Sequence, residues 1–482
     1  MSLRIVTVYE VRVNSNCKQS KSNIKGKKKG HKNKKEFTSP YSLYYNRIRS
    51  KKTSEEISLK IKKIEKSYQE VLAMPQPAHK KPLRQMGILR PILKVACGFL
   101  LMFSRFSCKK IGMEKLKKGE PCLVLMNHSS FIDLEIVAYL MADREWHIVT
   151  TLDGFVGKAW LMRLLGCIST KKFINDVTLV RDMRYTVKNL NASIIMYPEA
   201  SYSFDGTATP LPDSLGKCIK LLDVPVVMIR TEGAFLRDPL YNGLQVRKTK
   251  VSATMEYILS PEEIREKSAE EINEVINKQF DFDNFRIQQE NGILIKEKFR
   301  ADGLHRVLYK CPHCQTEGKT VGKGIKLTCQ ACNTTYELTE KGFLKCLNGE
   351  TKINHVPDWY AWERDCVRKE LEQGTYKLDI DVDIYMLVNT KGVYRVGEGR
   401  MVHTTAGFHL TGCDGQIDYK LRPQASYSLY SDFFWYEIGD MISIGDDKIQ
   451  YYCFPKNGEN IAAKTRLAAE ELFKLTKSAK NK

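Results

Sequence analysis

One short segment, MNHSSFIDLE at residues 126–135, places a His five residues before an Asp. An imidazole whose ring is held by a carboxylate can accept a proton from a hydroxyl group, which is the chemistry of a general base. His128 and Asp133 are therefore a candidate catalytic pair. The same spacing recurs at His409 and Asp414, so spacing alone does not choose between the two pairs.

The residues around each pair favour His128. LVLMNH is typical of a buried strand that ends at Asn127 and His128, and SSFIDLEIVAYLM is typical of a turn followed by a helix. The C-terminal ends of strands are where α/β domains place their chemistry. His409 lies between Gly407 and Gly412 in a strand-and-turn segment, which indicates a surface histidine.

Short apolar runs alternate with helical patterns from Pro121 onward. The runs are PCLVLM, HIVTTL, SIIMYP and VPVVMIR. Strands that alternate with helices predict an α/β domain with a largely buried sheet. A capped helical segment at 260–280 is expected to close this domain, because Ser260, Pro261 and Glu263 match an N-terminal capping box.

Four motifs in this region resemble those of the glycerolipid acyltransferase family, which includes the lysophosphatidic acid (PlsC-like) acyltransferases. NHSSFID matches the family's Asn-His-four residues-Asp, and LGCISTKKF at 165–173 loosely matches its Gly-Ile-basic stretch. YPEASYS at 197–203 is an altered form of Phe-Pro-Glu-Gly-Thr-Arg-Ser, and VPVVMIR at 224–230 matches a Val-Pro-Val run. The motifs follow the family's order, and the resemblance covers residues 85–280.

The resemblance implies a reaction and a set of site residues. His128 would take the proton of an acceptor hydroxyl, with Asp133 orienting the ring, while that hydroxyl attacks the thioester of acyl-CoA or acyl carrier protein. The implied acceptor is a lysophospholipid, as for a 1-acylglycerol-3-phosphate acyltransferase of phospholipid biosynthesis. Glu199 would bind the acceptor's polar groups or support the His128 loop. The residues expected to contact substrate are Asn127, Lys171, Lys172, Glu199 and Ser201.

The third motif departs from the family pattern. Where the family has Gly-Thr-Arg, this chain has Ala200, Ser201 and Tyr202. Tyr lacks the guanidinium fork that holds a phosphate through two hydrogen bonds. The cations considered as replacements are Lys171, Lys172, Arg181 and Arg184. The departure favours an alternative, a non-catalytic lipid- or partner-binding protein on an acyltransferase fold, whereas the intact His128–Asp133 pair favours the enzyme.

CPHC at 311–314 and CQAC at 329–332 form a second constellation. Four thiolates at this spacing suit a tetrahedral zinc site, so residues 301–345 are predicted to be a zinc ribbon. The predicted ligands of one zinc ion are Cys311, Cys314, Cys329 and Cys332. Since four Cys leave no open coordination position, the zinc would be structural. His313, inside the first pair, is interpreted as a bystander.

The C-terminal part is predicted to be β-rich. A helical connector over 346–372 is followed by segments rich in Tyr, Val and Ile with Gly and Asp turns, and 457–476 is again helical in pattern. Strands followed by one helix resemble pleckstrin-homology-like (PH-like) folds, and a plain β-rich interaction module fits the pattern equally well. The predicted fold is an α/β acyltransferase domain (83–300) with a mixed sheet flanked by helices, the zinc ribbon, and this domain (373–482).

The net charge of +21 is confined to the N-terminal quarter of the chain. Residues 1–120 hold 30 Lys and Arg against 8 Asp and Glu, with nine Lys at 18–35 alone. We therefore expect a disordered basic tail over 1–40, which either only solubilises the protein or contacts an anionic partner. Composition alone does not separate a membrane surface from nucleic acid, and the membrane surface is the partner we expect. Nucleic acid is the less favoured partner, because it leaves the acyltransferase motifs unexplained.

No stretch is long and apolar enough to predict a transmembrane helix, and residues 1–14 lack the apolar core of a signal peptide. ILKVACGFLLMF at 92–103 predicts a core helix or one lying in the membrane interface. Residues 53–72 predict an amphipathic helix within a segment, 41–82, that ends in the Pro-rich MPQPAHKKP. A cytoplasmic protein, peripheral on the inner face of the membrane, is the expected location.

Overall fold

The computed structural model describes residues 61–75, 77–174, 176–457 and 460–480. The Lys-rich tail and the first part of the predicted helix at 53–72 lie outside the described residues. Within them, residues 61–72 contradict the prediction of one continuous helix. Lys63–Glu65 form a strand, β1, and only Tyr68–Leu72 are helical, as α1.

Tertiary pairing explains this difference. β1 pairs in parallel with residues 393–395, and Ile61 is buried against the C-terminal sheet. The helical spacing of the isoleucines is therefore overridden by strand pairing, because short propensity signals are weak beside burial. The capping box that starts the helix is formed by Ser67 and Glu70.

The next part of the chain is an α/β domain. Its strands are β2 (Ser107–Ile111), β3 (Leu123–Met126), β4 (Trp146–Thr151), β5 (Cys167–Thr170), β6 (Ser193–Met196), β7 (Val226–Glu232) and β8 (Ser252–Leu259). Its helices are α2 (Leu89–Met102), α3 (Ile132–Leu140), α4 (Ala159–Leu164), α5 (Val177–Lys188), α6 (Leu215–Leu222), α7 (Ala234–Arg237), α8 (Pro261–Glu266), α9 (Ala269–Gln279) and α10 (Asn284–Glu290).

The seven strands form one sheet in the order β2-β8-β7-β3-β6-β4-β5. β8 is antiparallel to β7, and the other neighbours are parallel. On β3, Leu123 and Leu125 pack toward α5, α6 and α9, while Val124 and Met126 pack toward α2, α3 and α4. The predicted mixed sheet flanked by helices is confirmed, and the four apolar runs are β3, β4, β6 and β7.

The two CxxC pairs lie next to a small antiparallel sheet: residues 311–314 precede its first strand, and residues 329–332 begin at the end of its second strand. Its strands are β9 (Thr320–Lys323), β10 (Lys326–Cys329), β11 (Thr335–Leu338) and β12 (Leu344–Cys346), in the order β12-β11-β10-β9. The turn from β9 to β10 contains Gly324, whose φ of 68° is in the left-handed region that favours glycine. The helix α11 (Val356–Glu372) follows this sheet.

The C-terminal part is a second large sheet with one long helix. Its strands are β13 (Leu378–Met386), β14 (Val393–Thr404), β15 (Gly407–Gly412), β16 (Ile417–Leu421), β17 (Tyr430–Trp435), β18 (Gly439–Gly445) and β19 (Gln450–Pro455), and its helix is α12 (Ala462–Lys480). The order is β16-β15-β14-β13-β19-β18-β17. Within β14, only residues 399–404 pair with β15. The first part of β14 is thus left open for β1. The β-rich prediction is confirmed, and PH-likeness stays a prediction.

One hydrophobic core joins all three parts. Phe235 of the α/β domain, Tyr336 of the four-cysteine sheet, Trp359 of α11, Phe433 of β17 and Leu467 of α12 belong to the same buried cluster. Burial at this scale is the main stabilising contribution to folding. The C-terminal sheet is therefore packed firmly against the α/β domain, with β17 on the side of the domain where β3 and β6 end.

Candidate active site

The His128–Asp133 pair lies between the end of β3 and the start of α3. His128 Nδ1 is 3.2 Å from Asp133 Oδ2, and Asp133 is fully buried. The same oxygen accepts hydrogen bonds from the backbone N–H groups of Ser129 (2.7 Å) and Ser130 (3.0 Å). A carboxylate in the first turn of a helix is also stabilised by the helix dipole. The position of Asp133 is thus set by its backbone, and it holds the imidazole ring in turn.

Two tyrosines cover the faces of the His128 ring. The ring centroids of Tyr197 and Tyr202 each lie 4.1 Å from that of His128, with interplanar angles of 22° and 31°. Two rings stacked this closely cannot share one face, so they enclose the imidazole from opposite sides. A substrate can then approach only in the plane of the ring, at Nε2. The sequence carries no motif that predicts this sandwich, although both tyrosines belong to the altered YPEASYS.

Burial of His128 lowers its pKa, and this effect exceeds the opposing hydrogen bond and charge of Asp133. The positive charge of Lys172 lowers the pKa further. A His with a lowered pKa is neutral at neutral pH, and only the neutral ring can accept a proton. The electrostatics therefore suit His128 to act as a general base.

Three of the predicted substrate-binding residues, Asn127, Glu199 and Ser201, are buried and are not among the described residues that line the cavity beside His128. Glu199 accepts hydrogen bonds from the backbone N–H of His128 (2.9 Å) and of Thr209 (2.8 Å). Asn127 is fully buried and accepts a bond of 2.8 Å from the backbone N–H of Thr231 on β7. Ser201 is also buried. Glu199 and Asn127 thus support the loop through its backbone.

Ala200 adopts the conformation that a glycine would favour. Its φ is 56°, in the left-handed region that costs a non-glycine residue about 1–2 kcal/mol. The family's motif has Gly at this position. Ala200 thus has the backbone conformation that the motif's Gly would favour, although the side chain differs.

His128 opens onto a cavity of about 800 Å³. Much of its lining is apolar and comes from α5, β4 and α6, including Leu179, Met183 and Ile148. The opposite wall comes from the C-terminal sheet, residues 424–436. No sequence motif predicts this second wall, and the dense aromatic run YSLYSDFFWY at 427–436 is the one signal that could have found it.

Lys171 and Lys172, the two lysines predicted to contact substrate, both line the cavity, but they are held differently. Lys171 Nζ donates to the backbone oxygen of Asp447. Lys172 Nζ lies 4.1 Å from the centre of the Tyr430 ring, on the C-terminal wall. Of the arginines considered as replacements for the missing guanidinium, neither Arg181 nor Arg184 is among the described residues that line the cavity.

The second HxxxxD pair has no comparable geometry. His409 Nε2 contacts Asp418 on the neighbouring strand at 2.6 Å, and the His409 side chain is 41% exposed. The turn that contains Asp414 follows β15. The pairing of β15 with β16 thus gives His409 a surface partner, as expected for a surface histidine.

The four predicted zinc ligands come together. Their Sγ atoms all lie within 4.8 Å of one another, and the Cys311–Cys332 and Cys314–Cys329 pairs are each 3.7 Å apart. A tetrahedral site with Zn–S of about 2.3 Å has sulfur atoms about 3.8 Å apart, so the thiols fit such a site. His313 lies outside this cluster, and its Nε2 contacts the Tyr336 hydroxyl at 2.8 Å.

One family model and one solved structure are similar to part of this chain. Residues 107–231 match the family model described as Acyltransferase, a segment that runs from β2 into β7 and includes His128 and Asp133. The chain therefore contains a domain of the acyltransferase family, as the four motifs predicted. Among solved structures, it is similar to the 1-acyl-sn-glycerophosphate (LPA) acyltransferase PlsC from Thermotoga maritima. That match has 18% identity, covers 40% of this chain and 84% of that chain, and has a TM-score of 0.30.

Proposed function

We propose that this protein transfers a fatty acyl group from acyl-CoA or acyl carrier protein to the hydroxyl of a lysophospholipid-type acceptor. The reaction is of the class of 1-acylglycerol-3-phosphate acyltransferases and belongs to phospholipid biosynthesis. The observation that carries the proposal is the His128–Asp133 pair, in which Asp133 is buried and His128 opens onto a largely apolar cavity within an acyltransferase-family domain. A binding protein without activity would not need an imidazole ring whose orientation is fixed by a carboxylate.

The mechanism needs one base and no covalent acyl-enzyme. His128 Nε2 takes the proton of the acceptor hydroxyl as its oxygen attacks the thioester carbonyl carbon. The carbon–sulfur bond then breaks, and the leaving thiolate receives that proton from the imidazolium. Asp133 keeps the Nδ1 proton in place and stabilises the positive ring between these steps. A serine nucleophile is not supported, because the chain contains no Gly-x-Ser-x-Gly turn.

Direct measurement of acyl transfer tests this function. The full chain is incubated with long-chain acyl-CoA or acyl carrier protein donors and a panel of lysophospholipids, and the ester product is identified by mass spectrometry. We expect His128→Ala to lose transfer and His409→Ala, in the other HxxxxD pair, to keep it. Product formation that survives His128→Ala would overturn the mechanism.

We also propose that the four-cysteine cluster holds one structural zinc ion, with Cys311, Cys314, Cys329 and Cys332 as ligands. The sulfur spacing supports zinc, as does the all-thiolate ligand set. Four protein ligands leave no position for substrate, so the ion would act on the fold rather than on the reaction.

We also propose that the protein is peripheral on the cytoplasmic face of a membrane, and the surface of α2 supports the contact with a membrane. Ile88 at the N-cap and Val95, Phe99 and Met102 in the helix recur along one stripe and are 63%, 74%, 51% and 68% exposed. None of the helices in the described residues is long and apolar enough to cross a membrane. An exposed apolar stripe with nearby cations is typical of a helix lying in an anionic membrane interface. The cations are Arg90, Lys94, Arg105, Lys109 and Lys110.

Vesicle sedimentation tests this surface. The double variant Val95→Asp/Met102→Asp is expected to bind anionic phosphatidylglycerol vesicles at least about tenfold more weakly. Burial of one such apolar side chain in the membrane contributes up to about 1.5–3 kcal/mol to binding, and the variant loses two of these contributions. The measurement is made at high salt, where attraction by the basic tail is screened. Leu347→Asp, which changes a 43% exposed leucine on the four-cysteine module, is the control. Equal binding of wild type and double variant would remove α2 as the contact.

A further inference from the structure

The C-terminal sheet helps to build the substrate cavity. The wall it supplies is fixed to the α/β domain by buried hydrogen bonds: Asp153 Oδ2 accepts from the Tyr430 hydroxyl (3.3 Å) and from Trp435 Nε1 (3.2 Å). Asp153 belongs to a short 3-10 helix after β4, and both donors are on β17. Tyr430 also lies beneath the Lys172 ammonium. β17 thus positions a cation inside the cavity, close enough to His128 to affect its pKa.

The charges of the cavity are unusual for a site that would hold a phosphate monoester. Its described lining contains three Lys against four Asp and no Arg. The backbone oxygen of Asp447 holds Lys171, and Lys158 lies near Asp153. The remaining cation, Lys172, makes no hydrogen bond or direct ion pair with any described residue. Its ammonium is therefore available to one anionic group of a ligand.

Asp432 shares the cavity lining with this cation. It is on β17, lines the cavity and is the strongest nearby charge acting on Lys172. Burial raises the pKa of Asp432 to about 6, while Lys172 and Arg466 oppose the rise, so its carboxylate is mostly ionised at neutral pH. A phosphate monoester, with close to two negative charges, would be repelled by this carboxylate. A headgroup with one phosphate charge and one ammonium could contact Lys172 and Asp432 together.

We propose that Asp432 is a specificity-determining residue for the acceptor, and that it selects a zwitterionic lysophospholipid, whose phosphodiester is linked to an amine, over a phosphate monoester. The inference rests on the proposed acyl transfer and narrows its acceptor. It assigns to the C-terminal domain a part in choosing the substrate. The missing Arg of the third motif is then explained, because a singly charged phosphodiester needs a weaker anion site than a monoester.

The test compares two acceptors with one acyl-CoA donor, using the full chain. Wild type is expected to have a kcat/KM at least about tenfold higher for lysophosphatidylethanolamine than for lysophosphatidic acid. Asp432→Asn, which keeps the side-chain shape, is expected to reduce that ratio at least about tenfold, and Asp432→Glu to restore part of it. Asp381→Asn, an exposed Asp on β13 of the same sheet, is the matched control and should leave the ratio unchanged. Thermal melts establish that each variant is folded.

The outcomes separate this inference from the function on which it rests. A wild-type preference for lysophosphatidic acid, or the same ratio in Asp432→Asn as in wild type, would overturn the role of Asp432 alone, while transfer that depends on His128 would still support the enzyme. Absence of transfer to every acceptor, or full activity in His128→Ala, would overturn the proposed function and this inference with it.

Discussion

Replacing Asp133 with Asn is expected to lower kcat/KM for acyl transfer by about 10²–10⁴-fold, close to the effect of His128→Ala, although it can keep every hydrogen bond at this position. Asp133 Oδ2 alone accepts the bonds from His128, Ser129 and Ser130, and Oδ1 is buried without a partner among the described residues. The Asn carbonyl oxygen can take the place of Oδ2. The substitution therefore removes the negative charge that stabilises the imidazolium, and it places the amide NH2 at the buried position of Oδ1, where no described residue accepts from it.

The pH dependence of kcat/KM distinguishes this role from a purely structural one. The base must be neutral, so activity falls as the pH drops through the pKa of His128. Burial lowers that pKa, so the acid limb of the wild-type pH profile should have its midpoint below about pH 6.5, the pKa that is usual for His. Loss of the Asp133 charge lowers the pKa further, so in Asp133→Asn the limb should move to still lower pH while the plateau falls.

Asp414→Asn is the matched control, since it changes the Asp of the other HxxxxD pair. It should alter neither the plateau nor the limb. A limb that moves to higher pH in Asp133→Asn, or a plateau within a few-fold of wild type, would contradict the assignment of Asp133. A third outcome would point to a structural role alone. In that case the plateau of kcat/KM and the thermal stability both fall, while the acid limb of the pH profile stays at the wild-type pH.

The parts of the site that could be predicted from the sequence are local ones. His128 and Asp133 are joined by one turn, and each CxxC pair is a single turn, so spacing along the chain largely determines spacing in the fold. The strands β3, β4, β6 and β7 are also local in this sense. A strand buried on both faces must be apolar throughout, and such a run is visible without knowledge of its neighbours.

The parts that could not be predicted depend on contacts between distant segments. Tyr197 and Tyr202 contact the His128 ring although they lie about 70 residues away in the sequence. Tyr430 contacts Lys172 although more than 250 residues separate them. The segment 61–72 is the same kind of case. Its isoleucine spacing fits a helix, but an open stretch of β14 more than 300 residues away pairs with Lys63–Glu65. Local propensity does not encode such a partner.

Loss of the proposed zinc ion is expected to have the second large effect. Cys311→Ser should reduce bound zinc from about one ion per chain toward zero, lower the melting temperature by about 5–10 °C, and lower acyl transfer in parallel. The four-cysteine sheet buries Tyr336 against Trp359 of α11, with ring centroids 5.1 Å apart, and Trp359 Nε1 donates to Lys310 O at 2.9 Å. Disorder of the sheet would therefore expose part of the core shared with the α/β domain.

The controls decide whether the metal or the side-chain packing is responsible. His313→Ala removes a possible nitrogen ligand from inside the first CxxC pair and should leave the zinc content unchanged, because the thiols alone form the cluster. Cys366→Ser, on α11 and outside the cluster, should behave likewise. If elemental analysis finds the wild-type zinc content in Cys311→Ser, Cys311 is not a zinc ligand and the proposed four-cysteine zinc site is wrong. Zinc loss without loss of acyl transfer would instead show that the cavity keeps its shape when this sheet is disordered. The contacts of β17 with Asp153 and α12 would then be sufficient to keep β17 in position.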